Sequence, residues 1–297
     1  MKVVFKTDGK EKVDEVVFLQ RLLLKLGLVN SADGVFGNKT DAAVRQFQKK
    51  NGLSDDGVVG QKSWDALFAK AGTNIIGTDI YRHDVVEKPF YDDVEQNYWF
   101  CFCKSTEGGT VQDARLAEFI AKLKERTILR GAYHFFRFDN PNTDAQVANF
   151  LTTTKNAGIV WSEKGILPPV LDVEPTPKQF DEPHRSEIIK TRAAIIENLK
   201  KWLTKVEAAT GRTPIIYTTR LIWDEFLKSP KGFERYSLWV ADYGKVQSPR
   251  MPSTWKSPLM WQFTEKGVIG GNSDDKEGFD VNKLMVSLGD LLEKANY

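Results

Sequence analysis

Chemistry-bearing residues concentrate in the segment LPPVLDVEP, residues 167–175, where an apolar run ends in Asp172 and Glu174, two positions apart between prolines. Side chains of a strand alternate between its faces, so these two carboxyls project to one side. Two acids at the carboxyl end of a buried strand suit acid-catalysed cleavage of a glycosidic bond, in which one acid donates a proton while another stays ionised. The same Asp-x-Glu spacing recurs at Asp93 and Glu95, so the pair gains meaning only from its surroundings.

Other short apolar runs end in similar groups. Asp79 follows NIIGT, Glu107 follows CKST, Tyr133 and His134 lie in GAYHFF, and Tyr217 lies in IIYTT. Trp239 and Asp242 lie in LWVADYG, Trp261 and Gln262 in MWQFTEKG, and Asp280 in EGFDVN. Aromatic faces pack against the CH faces of sugars while acids and amides hold hydroxyls, so Tyr133, Tyr217, Trp239, Asp242, Trp261 and Gln262 are candidate substrate-binding residues for an extended glycan.

The elements that must position these groups are short strands at 75–80, 98–104, 131–136, 170–174, 215–218, 238–241, 259–263 and 279–281. Helices are expected at 113–126, 143–156, 184–209, 221–227 and 282–294. Strand and helix alternation of this kind predicts an α/β fold, a parallel TIM-like barrel, made irregular by crossovers too short for a full helix. Active groups of such a barrel sit at the carboxyl ends of its strands.

The first 70 residues are built differently. DGVFGNKTDAAVRQFQ from Asp33 is repeated as DGVVGQKSWDALFAK from Asp56, a shift of 23 residues. Each copy reads as a glycine turn followed by a helix, with Thr40 and Ser63 as the expected caps. An earlier helix carries Val16, Leu19, Leu22, Leu23 and Leu26 at helical spacing and stops at Gly27. A small all-α, three-helix domain is expected over residues 1–72, and the barrel over 73–297, with AGTN at the junction.

Length and composition exclude several classes. The 297 residues are 41% hydrophobic and 28% charged, with a net charge of +2, and no basic run interleaves with aromatics as in a nucleic-acid surface. No apolar run approaches membrane-spanning length, and MKVVFKTDGKEK lacks the apolar centre of a secretory signal. The expectation is therefore a monomer made in the cytoplasm, without nucleic-acid or membrane partners. Cys101 and Cys103, two apart in YWFCFCK, suit neither a disulfide nor a metal site, and the three histidines form no HExxH pair. No metal and no cofactor are expected.

The segment from Val13 to Phe68, through FLQRLLLKLG, DGVFGNKTDAAVRQFQ and NGLSDDGVVGQKSW, resembles the peptidoglycan-binding domain found at the ends of many cell-wall hydrolases. Residues 75–290, through GTDIYRHD, FCFCKSTEGG, GAYHFFRF, LPPVLDVEP, GRTPIIYT, LWVADYG, MWQFTEKG and GFDVN, resemble glycoside hydrolase family 25, the lysozymes that act as N-acetylmuramidases. The resemblance implies that Glu174 is the general acid, with Asp79, Asp172 and Asp280 the acids grouped around it. It implies bacterial peptidoglycan as substrate and cleavage, with retention, of the β-1,4 bond between N-acetylmuramic acid and N-acetylglucosamine. Either a carboxylate attacks directly or the substrate's own 2-acetamido oxygen does so. The chain departs from the family at Tyr81, where a serine is usual, and near Asp84. The modular pairing suggests a phage endolysin reaching the wall after holin-type release, with an exported antibacterial toxin or a non-catalytic wall-binding protein as alternatives.

Overall fold

In the computed structural model, which describes residues 1–7, 11–244, 247–271 and 278–297, the internal repeat is built on two buried glutamines. The helices are α1 (Asp14–Lys25), α2 (Asn38–Lys50) and α3 (Gln61–Ala71). On α1, Gln20 donates through Nε2 to Asp33 Oδ1 at 2.8 Å, Val35 O at 3.1 Å and Thr40 Oγ1 at 3.0 Å, and accepts from Gly34 N at 2.7 Å. On α2, Gln48 repeats the pattern, donating to Asp56 Oδ1 at 3.2 Å, Val58 O at 2.9 Å and Ser63 Oγ at 3.2 Å and accepting from Gly57 N at 3.0 Å. Gly34 and Gly57 have φ of +78° and +76°, which explains the glycine in each copy. Thr40 and Ser63 are not the caps. Gly37 and Gly60 occupy those positions, and the two hydroxyls lie buried in the first turn against the glutamine amides.

The second unit is a barrel. Its strands are β1 (Ile76–Ile80), β2 (Phe100–Glu107), the two-residue β3 (Val111–Gln112), β4 (Leu129–Phe135), β5 (Val170–Asp172), β6 (Ile215–Thr219), β7 (Ser237–Ala241), β8 (Met260–Gly267) and β9 (Phe279–Leu284). Among the described residues, eight of them close in the order β1-β9-β8-β7-β6-β5-β4-β2, and β1 pairs again with β2 to complete the ring. The pairings are parallel except those of β9, which runs antiparallel to both β1 and β8. The helices α4 (Lys88–Asn97), α5 (Leu116–Glu125), α6 (Thr143–Asn156), the one-turn α7 (Pro177–Phe180) and the long α8 (His184–Thr210) follow β1 to β5. A single π-helical turn, Leu221–Phe226, follows β6, and among the described residues no helix separates β7 from β8. This is the expected α/β barrel with its expected irregularity. The sequence reading missed α4, whose apolar positions are few, and the two residues of β3.

Alternation along β2 sorts its side chains. Phe100 and Phe102 fill the barrel interior, where Phe102 lies 5.0 Å from the Trp239 ring, while Cys101 and Cys103 face the helical layer as buried free thiols. Gly77 and Gly131 make room for these rings, because a Cβ at either would come within 2.3 Å of one. Burial of each phenylalanine stabilises the floor by about 2 kcal/mol. A packed apolar floor leaves the carboxyl-end layer as the place for polar groups.

The helix expected over 282–294 is shorter. β9 runs through Leu284, and α9 (Leu288–Lys294) starts at Ser287, whose hydroxyl and backbone exchange hydrogen bonds with Asp290 in a capping box. By internal contacts, α9 groups with residues 1–75, whereas the sequence reading placed it in the barrel segment. Within that unit, Tyr297 sets its ring edge-on to Phe18 at 5.0 Å and donates to Asp14 Oδ2 at 2.9 Å.

Candidate active site

The segment carrying Asp172 and Glu174 is held by its neighbours. Val173 N donates to Tyr217 O at 2.9 Å, Thr218 Oγ1 donates to Val173 O at 2.9 Å, and Phe136 N donates to Asp172 O at 3.0 Å. Val173 is thereby pinned into the outer core, which turns the two flanking acids toward the barrel mouth. There they line a cavity of about 600 Å³ with Asp79, Asp280, Tyr133, Tyr217, Trp239 and Gln262. Seven barrel strands or their ends contribute, each through a residue at its carboxyl end except the antiparallel β9.

One network fixes the amides. Trp239 Nε1, which can only donate, reaches Asn282 Oδ1 at 2.7 Å, so Asn282 Nδ2 must face Asp79 Oδ1, at 2.7 Å. Gln262 Nε2 donates to the same oxygen at 2.9 Å, while Gln262 Oε1 accepts from Tyr217 at 2.7 Å and Tyr243 at 2.5 Å. Asp79 is in turn hydrogen-bonded to Asp280.

Burial dominates the electrostatics. It raises Asp79 against the pull of its amide donors, and pushes Asp280 up to about 9, assisted by the charge of Asp79. Asp172 is held well above the usual carboxylate range by burial and by Glu174, and its Oδ1 is buried without a hydrogen-bond partner among the described residues. Glu174 is pushed up to about 7 by burial, with Lys104 pulling down and Asp79 pushing up. At neutrality, then, Glu174 can both give and take a proton, as acid–base catalysis requires.

Two expected binding residues lie outside the cavity lining. Asp242 turns to Arg250, accepting from its N at 2.7 Å, Nε at 3.0 Å and Nη2 at 2.6 Å. Trp261 alternates outward from Gln262 on β8, donates its indole N–H to Asp242 O at 2.9 Å and packs in the outer core. Neither Glu107 nor His134 joins the site. Glu107 is paired with Lys104 and Arg137, and His134, between Thr106 Oγ1 and Gln146 Oε1, is pushed down to about 4 by burial and stays neutral.

Sequence reasoning missed Tyr243, Glu265 and Lys266 on the rim and Asn282 beneath it, and named Tyr81 and Asp84, also on the rim, only as departures from the family. Asn282 was findable, since it shares a strand face with Asp280. Tyr81, Asp84 and Tyr243 follow their strands into loops, and Glu265 and Lys266 lie in β8 beyond a register shift, so simple alternation assigns none of them a face. Tyr243 is 46% exposed with its hydroxyl tethered to Gln262, a fixed aromatic surface at the mouth. Asp84 holds the β1 loop by accepting from Tyr81 N at 2.7 Å.

An acid cluster at the carboxyl-end mouth of a closed barrel defines a scaffold of the glycoside hydrolase class. The chain belongs to the Glycosyl hydrolases family 25, whose sequence pattern matches residues 78–272. Residues 12–67 match the family described as Putative peptidoglycan binding domain. Among curated proteins, Lysozyme M1 of Streptomyces globisporus is 31% identical over 202 residues, covering 66% of this chain and 63% of its own length. An N,O-diacetylmuramidase of Arthroderma benhamiae is 28% identical over 179 residues, 59% of this chain and 71% of its own. The chain thus spans less than two thirds of the first of these relatives. Among solved structures, the bacterial lysozyme from Streptomyces coelicolor superposes with a TM-score of 0.65 at 27% identity, over 75% of this chain and 98% of that one. A family GH25 lysozyme from Aspergillus fumigatus superposes at 0.64 with 25% identity, over 76% and 100%.

Proposed function

We propose that this protein is a peptidoglycan hydrolase, an N-acetylmuramidase that cleaves the β-1,4 bond between N-acetylmuramic acid and N-acetylglucosamine with retention of configuration. The observation that carries the reading is Glu174, poised at about 7 beside the buried, unpartnered Oδ1 of Asp172 in one cavity. Glu174 protonates the departing oxygen and, once ionised, activates the water that completes the reaction. The lone Asp172 oxygen is an acceptor awaiting a donor, and the N–H of a 2-acetamido group would satisfy it. That contact would orient the acetamido oxygen for attack on the anomeric carbon, which supports the substrate-assisted route. Asp79, held by two amide N–H groups, and Asp280 position the sugar, with Tyr133, Tyr217 and Gln262 around it.

The unit over the first 72 residues would hold the enzyme on the wall and raise the local concentration of substrate. A wall-binding unit joined to a cutting unit fits an endolysin that lyses its host. Clearing of purified, permeabilised cell walls tests the reading. Wild-type protein clears them, Glu174→Gln does not while still pelleting with them, and Asp172→Asn loses at least about a hundredfold, as expected when the group that aligns the acetamido oxygen is altered. Clearing by Glu174→Gln at a normal rate would remove Glu174 from the role of acid.

A further inference from the structure

Glu174 lines the large cavity, and the loop that follows it leads into a second groove. The large cavity extends from Glu174 toward the ends of β1, β7, β8 and β9, and takes nothing from the loops after β4 and β5 beyond Glu174 itself. Those loops form a second groove of about 480 Å³, lined by Arg137 and Asp139 after β4, by Thr176, Lys178 and Gln179 after β5, and by His184. An acid that protonates a bridging oxygen must have one sugar on each side of it. The cavity with Asp79, Asp172 and Asp280 takes the sugar whose anomeric carbon reacts, which leaves the second groove for the departing chain.

Charge in this groove is uneven. Asp139 accepts from Arg137 Nε at 2.9 Å and Nη2 at 2.7 Å, and Glu107 is shared by Arg137 Nη1 at 3.0 Å and Lys104 Nζ at 2.9 Å. Two cations and two carboxylates cancel in that chain. Lys178 remains, exposed and with no ion pair among the described residues. Thr176 is in extended conformation, with ψ of 158°, and its side chain and backbone are locked in a capping box with Gln179. The loop is therefore a fixed arm. Lys178 lies in the first turn of α7, four residues beyond Glu174, and lines the groove beside Thr176 and Gln179.

Resting on the muramidase reading, we infer that this groove is a leaving-side subsite in which Lys178 recognises a carboxylate on the peptide arm of the next N-acetylmuramic acid. The departing N-acetylglucosamine carries no charge. The sugar after it carries a lactyl-linked peptide with free carboxylates, the charged groups on the departing chain that an ammonium would recognise. Arg137 shapes the groove and is committed to its own acids, so the recognition falls to Lys178.

The test uses the full chain on soluble peptide-bearing glycan strands, either untreated or with their carboxyls converted to amides by carbodiimide and ammonia. For the wild type, amidation should lower kcat/KM about tenfold, the scale of one charge-assisted hydrogen bond. Lys178→Ala should lose the same factor on untreated strands and be indifferent to amidation, and Lys178→Glu should cut amidated strands better than untreated ones. The wild-type preference should shrink as salt is raised. If Lys178→Ala retains the wild-type preference, the subsite assignment is overturned while the muramidase reading stands. If the wild type cuts neither substrate, the muramidase reading falls and takes this inference with it.

Discussion

Asp79 on β1 and Asp280 on β9 are direct cross-strand partners, their carboxyls hydrogen-bonded to each other at the mouth of the barrel. Two carboxyls can bond in this way only if one proton lies between them. The amide donors of Gln262 and Asn282 converge on Asp79 and favour its ionised form, so Asp280 keeps the proton.

A stability prediction follows from the sign of that shift. Asp280 is pushed up to about 9 in the folded protein and titrates near 4 when unfolded, so between these values the folded state binds more protons and stability falls as pH rises. Asp280→Asn removes this dependence while still offering a donor to Asp79. Its Tm relative to wild type should therefore climb from pH 5 to pH 8, by several degrees at the upper end. A Tm difference that is the same at both pH values would contradict the shared proton.

Burial of Glu174 sets the upper pH limit of activity, and Lys104 moderates it. Glu174 must be protonated to act as the acid, so kcat/KM should fall as pH rises through about 7. Lys104 holds that value down, and Lys104→Met should move the falling limb to higher pH by several tenths of a unit. A limb that stays in place or moves down would mean another group controls it.

Tyr243 is expected to act through its exposed ring. Tyr243→Ala should raise KM for glycan strands about tenfold, while Tyr243→Phe, which keeps the ring and loses only the bond to Gln262, should raise it much less. Equal effects of the two variants on KM would assign the role to the hydroxyl instead.

The paired glutamines of the first unit make a symmetric prediction. Gln20→Leu and Gln48→Leu each strip a turn of its buried amide partner, strand the buried N–H of Gly34 or Gly57 and take from Thr40 or Ser63 the amide that its hydroxyl faces. Each should destabilise that unit by about 2–4 kcal/mol in urea melts. A change below about 0.5 kcal/mol would show that the turns hold without them.

Much of this was legible in the chain, and for identifiable reasons. Strand periodicity placed Asp172 and Glu174 together because both alternate with Val173, which is buried, and the order of apolar runs gave the barrel. The same logic failed at Asp242 and Trp261. A residue one step past a strand end, or one step off the inward register, looks alike in sequence, and only Arg250 and the position of Gln262 decide the direction. Thr40 and Ser63 were misread because a hydroxyl before a helical run normally caps it, whereas here distant glutamines claim both. The grouping of α9 with the first unit depends on contacts nearly 280 residues apart in sequence, such as that of Phe18 with Tyr297, which local pattern does not record.

The bond that breaks tests the central claim most directly. Peptidoglycan digested by the wild type should be reduced with borohydride and analysed by mass spectrometry, with early NMR to read the anomer before mutarotation. The account predicts new reducing ends on N-acetylmuramic acid, released first as the β anomer, with no free peptide stems. Label on N-acetylglucosamine, 1,6-anhydro ends or an initial α product would each contradict a retaining muramidase with Glu174 as its acid.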